Sequence, residues 1–93
     1  MTGDSERLFE LFDRSNRDAV FRVSFADGDE YELTRVTAAQ DEGELPHGTA
    51  SVVRAIRTRS GSPFPQRNAM FFRLPEITQV ADAATGEILF RAS

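Results

Sequence analysis

Few residues in this chain have the types and spacing that chemistry needs. His47, in "LPHGT", is the only histidine. A metal site gathers several ligands, and a general base needs an orienting partner within reach, so His47 reads as a loop histidine. "DGDE" at Asp27 to Glu30 sets acids close together, but it lacks the alternating oxygen ligands and the distant bidentate Glu of a calcium loop. A hairpin turn accounts for it better. There is no cysteine, which removes thiolate nucleophiles, disulfides and Cys-based zinc sites. No GxSxG, P-loop or GxGxxG occurs, and the six glycines stand apart from one another. The expectation is a chain that is not an enzyme and uses no metal or cofactor.

Recognition is the chemistry that remains. From Leu45 to Pro75 there is no acid, and Arg54, Arg57, Arg59, Arg67 and Arg73 share the segment with Phe64, Met70, Phe71 and Phe72. Aromatic rings can stack bases while arginines follow the phosphates of a single strand. The same residue types anchor protein interfaces. A net charge of −4 weighs against nucleic acid, whose nonspecific affinity comes from neutralising phosphates. Upstream, Asp27 to Glu44 holds seven acids against Arg35 alone. Either the acidic and basic segments pair across neighbouring strands, or they make a bipolar surface for a polar partner. Phe71 can pack beneath the N-terminal helix and Phe64, held between prolines, can plug the end of a barrel. If both rings are exposed and contiguous instead, a protein interface takes precedence. Expected partner contacts are Arg57, Arg59, Phe64, Arg67, Phe71 and Arg73, and the expected partner is a protein, a second copy of the chain included. Binding of RNA or single-stranded nucleic acid through residues 54–73 is the alternative. A metabolite sensor would need an apolar cavity too large for 93 residues.

These side chains need a scaffold, and the hydrophobic pattern predicts one. Leu8, Leu11 and Phe12 recur at helical spacing, with acids Asp4 and Glu6 ahead and Arg14 and Arg17 behind, as the helix dipole prefers. A helix over roughly residues 5–15 follows, capped by Asp4 or Ser5. Alternation in "AVFRVSF", the Asp27-Gly28 turn and "EYELTRV" predict a hairpin. Val36 falls out of phase, which predicts a bulge near Thr34-Arg35. Thr37 to Thr49 reads as a loop. Strands are expected over about 19–26, 29–37, 50–58, 69–74, 77–81 and 87–91, with Pro75 interrupting the fourth. The chain is expected to be one domain, 1–93: mainly β with one N-terminal helix, in a small, strongly bent antiparallel barrel of five to six strands. "MTGDSERLFELF" has neither the basic nor the apolar region of an export signal, and no apolar run is long enough to span a membrane. A cytoplasmic location away from membranes is expected.

The helix "ERLFELFDRS", the strand "VFRVSFADG", its continuation "YELTRV" and the late "MFFRLPEITQV" occur in an order that resembles the Sm-like fold of the bacterial RNA chaperone Hfq and its relatives. The likeness runs roughly from Leu8 to Val80. It implies an Sm-like or SH3-like barrel and ring or dimer formation through strand edges. The RNA contacts of that family do not carry over. Phe72, Arg73 and Leu74 stand where the family has tyrosine, lysine and histidine, and Leu33 or Thr34 stands where it has a second glycine. "TGEILFR" adds a strand outside the family pattern, able to cover the edge used for ring assembly.

Overall fold

A computed structural model describes residues 3–40, 42–58 and 69–92. The helix α1 spans Asp4–Arg14, with Asp4 and Glu6 in its first turn and Arg14 in its last. Gly3, rather than Asp4 or Ser5, occupies the N-cap and makes no side-chain capping bond. At the other end the Ser15 hydroxyl donates to the Leu11 carbonyl at 2.6 Å. The Asn16 side chain accepts from the Asp18 amide at 2.9 Å, turning the chain towards the sheet.

Six strands follow: β1 (Val20–Phe25), β2 (Glu30–Ala39), β3 (His47–Arg57), β4 (Ala69–Arg73), β5 (Ile77–Asp82) and β6 (Ile88–Arg91), with a single 3-10 turn at Leu74–Glu76. All pairs are antiparallel. The spatial order is β4-β3-β2-β1-β5-β6, so β1 to β4 form a meander and β5 returns to the free side of β1. Gly28, at φ +98°, makes the tight β1–β2 reversal that a side chain would resist.

Curvature begins in β2. Its pairing with β3 shifts between Thr34 and Thr37, where the out-of-phase Val36 predicts a bulge. Arg35 there adopts φ +52°, a conformation that costs a non-glycine residue about 1 kcal/mol or more. The bend brings distant strands together. The Phe25 ring on β1 lies 5.8 Å from the Phe72 ring on β4, although two strands separate them and a flat sheet would hold them about 14 Å apart. The sheet is therefore curled around its aromatic side chains. It is not closed, because among the described residues β4 and β6 are its edges.

Inside the curl lie Val23, Leu33, Leu74 and Val80, all essentially without solvent contact. The helix caps this core with Leu8 and Phe12, and Phe12 meets Phe21 edge to face at 5.6 Å. The Arg7 guanidinium lies 4.8 Å over the Phe90 ring, tying α1 to β6.

The stretch expected as a loop from Thr37 to Thr49 is largely strand. Ala38 pairs with Gly48 and Ala39 with His47, so β3 begins three residues before the expected Ala50 and the connection shrinks to residues 40–46. Gly48 acts here by its lack of a side chain. A Cβ at that position would lie 2.7 Å from the Phe72 ring.

Candidate functional site

Phe72 points into the core, so its neighbours Phe71 and Arg73 must face outwards along β4. Phe71 is 63% exposed. It does not pack beneath the helix, whose buried side chains meet core residues such as Phe21 instead. In register, Phe71 stands opposite Thr49 and Arg73 opposite His47. The diagonal neighbours His47 and Phe71 stack, with ring centroids 5.3 Å apart and planes inclined by 29°.

The β2–β3 connection completes this surface. The Pro46 carbonyl accepts a hydrogen bond from the Leu74 amide at 3.0 Å, which pins the connection beside the end of β4. Leu45 is held there 59% exposed. An open cleft of about 340 Å³ runs between Glu44, Leu45, His47, Phe71 and Arg73. The patch thus has an apolar centre with one acid and one base beside it. His47 belongs to it, contrary to its reading as a plain loop residue. The alternation of His47 and Thr49 ahead of the expected strand, continued by Ser51 within it, was the available signal.

Arg57 does not join this patch. It ends β3 opposite Glu30, eight residues from Thr49 and so about 26 Å along the strand. Arg59, Phe64 and Arg67 lie outside the described residues. The acidic and basic segments do pair across strands. Glu32 stands between Arg22 and Arg54 in register, and the Arg54 side chain donates to its carboxylate.

Phe71 also borders a smaller cleft of about 240 Å³ with Phe25, Asp27, Asp29, Tyr31 and Met70. The Tyr31 hydroxyl donates to Asp29 across 3.4 Å. Burial first, and the Asp29 carboxylate second, push the Tyr31 phenol above its usual range.

A larger opening lies elsewhere. A groove of about 860 Å³ separates α1 from the second half of β2 and is lined by residues that include Phe9, Phe12, Val36 and Ala38. Glu6, Glu10 and Asp13 stand along its helical wall, and Arg17 and Arg35 also border it. The Arg35 amide donates to the Arg17 carbonyl at 3.2 Å, which joins the two backbones at the border of the groove. The sequence offered one hint of this groove, the phase break at Val36.

Among the described residues no three His, Cys, Asp or Glu side chains are placed to hold a metal ion, and no helix is long and apolar enough to cross a membrane. No family model, curated protein or solved structure matches the chain.

Proposed function

We propose that this chain is a non-enzymatic binding module that works through protein–protein contacts at the outer face of β4, contact with a second copy of itself included. The observation that carries the reading is the exposed Phe71 ring, stacked on His47, beside the exposed Leu45. An aromatic anchor next to an arginine is the residue chemistry that dominates interface energetics. Completing the burial of one such ring contributes about 1.5–3 kcal/mol. The position on an edge strand adds backbone groups able to pair with a partner. We read the curled sheet as an Sm-like barrel on the strength of its bulged β2 and the single short turn between β4 and β5.

Sedimentation velocity over a wide concentration range tests the reading, together with capture of proteins from lysate by the immobilised full chain. Phe71→Asp is expected to weaken association by about 30-fold or more, the effect of losing roughly 2 kcal/mol at an anchor. A monomer at every concentration, with the same proteins captured by both forms, overturns it.

Nucleic-acid binding is the second reading, favoured by the exposed ring of Phe71 near Arg73. The net charge of −4 and the neutralisation of Arg54 by Glu32 oppose it. Labelled single-stranded oligonucleotides titrated at low salt, where phosphate contacts are strongest, are expected to show no binding. Low-salt binding that Phe71→Asp abolishes would favour nucleic acid over protein.

A further inference from the structure

Among the described residues, the second half of β2 is a local strand edge on the side of α1. β1 pairs with β2 only from Glu30, opposite Ser24, to Thr34, opposite Val20, whereas β3 stays beside β2 as far as Ala39, opposite His47. Arg35, at φ +52°, stands where the pairing with β1 ends, and its amide makes the last bond on that side, to the Arg17 carbonyl. Over residues 36–39 the backbone groups that point away from β3 meet no backbone partner among the described residues. Strand residues alternate in the side to which they present N–H and C=O, so an unused row of donors and acceptors faces the groove beside α1.

The shape and charge of the groove state what fits that edge. Val36, Thr37 and Ala38 all line it, although consecutive side chains of a strand point to opposite faces, so it opens along the edge of β2 and not over one face. Its other wall is α1, where Glu6, Glu10 and Asp13 recur at helical spacing and share one side of the helix with Phe9 beside them. All three acids are exposed. Among the described residues only Glu10 of the three makes an ion pair, a surface one with Arg14 at 2.6 Å, of the kind that contributes little. The rail of acids is about 10 Å long, and so is the free edge, at about 3.3 Å per residue. We infer that the groove takes an extended basic peptide of a protein partner, which adds a strand to residues 36–39 through backbone hydrogen bonds. Lysines or arginines at alternate positions of such a strand lie about 6.6 Å apart, close to the rise of about 6 Å from Glu6 to Glu10, and their aliphatic stems cover Phe9. Arg17 and Arg35 border the groove at its Val36 end, so an acid of the peptide beside them sets its direction. The net charge of −4 draws a basic segment from a distance, and strand addition then selects side chains at every second position.

Anisotropy titrations of the full chain test this with a fluorescein-labelled peptide of about seven residues, in which two lysines alternate with valines and an aspartate stands at one end or the other. Saturable binding is expected for one of the two orders, with slower exchange of alternate amides among residues 36–39. Methyl groups on one alternate set of peptide amides are expected to weaken binding about 10-fold or more, the loss of a backbone hydrogen bond or two, and on the other set far less. Glu6→Gln with Glu10→Gln is expected to weaken it about 10-fold as well. Glu76→Gln with Glu87→Gln makes the same change in net charge at exposed positions outside the groove and is expected to leave binding unchanged. Phe71→Asp, two strands from the edge in register, is expected not to weaken it, so failure here and failure of the β4 reading are told apart. No saturable binding up to about 1 mM peptide overturns the inference. Equal losses from the two glutamate pairs overturn it too, because net charge alone would then explain the attraction. Indifference to methylation of either set overturns it by excluding strand addition.

Discussion

Gly48 shows how much one absent side chain can decide. A Cβ there would meet Cε2 and Cζ of Phe72 at 2.7 Å and the Thr37 carbonyl oxygen at 3.1 Å. The ring is a buried core group and has little room to retreat in a close-packed interior. Gly48→Ala is expected to cost about 1–3 kcal/mol, the usual penalty of overpacking, seen as a lower urea midpoint with an unchanged slope. An unchanged midpoint would mean that the ring moves freely. In the sequence, "PHG" reads as turn punctuation, and only pairing with Ala38 shows Gly48 to be a strand residue chosen for close approach. The pair Phe71 and Phe72 carries a similar lesson. Their opposite orientations follow from strand alternation alone, but the exposure of Phe71 depends on where the helix is seated.

At the scale of elements, the helix was the most legible part. Its apolar spacing and charge direction anticipate α1 at Asp4–Arg14 within a residue at either end. Eleven residues are too few for a stable helix alone in water, so its order depends on docking. Leu8 has no solvent contact. Leu8→Ala is expected to cost about 2–5 kcal/mol through lost burial and the cavity left behind, and to lower helical circular dichroism at temperatures where the sheet still holds. Loss of helix and sheet in one unchanged transition would contradict this. The bulge was legible as well, because Val36 breaks the period of β2, and one of the register shifts between β2 and β3 lies between Thr34 and Thr37. The length of β3 was not legible. Pro46 and Gly48 look like breakers, whereas their strand-side neighbours are fixed by partners far along the chain.

For the whole molecule the decisive feature is the curl. Phe72 touches Phe25 across the bend and lies against Gly48 of the adjoining strand, so it joins both flanks of the sheet. Phe72→Ala is expected to remove about 3–5 kcal/mol. Against a typical total of about 5–15 kcal/mol, that loss should lower the melting temperature by well over 10 °C at roughly 4–8 °C per kcal/mol, as calorimetry would record. A loss below about 1 kcal/mol would show the two flanks to be held together without it. The sequence by itself determined the kind and order of the elements and the pairing potential of its acidic and basic thirds, since side-chain periodicity and turn chemistry act between near neighbours. Tertiary structure alone decided that β4 and β6 are the edges of the sheet among the described residues, that Leu45, His47 and Phe71 meet, and that a groove remains beside α1. Those outcomes depend on register and docking between residues distant in the chain, and no local pattern encodes the distance between them.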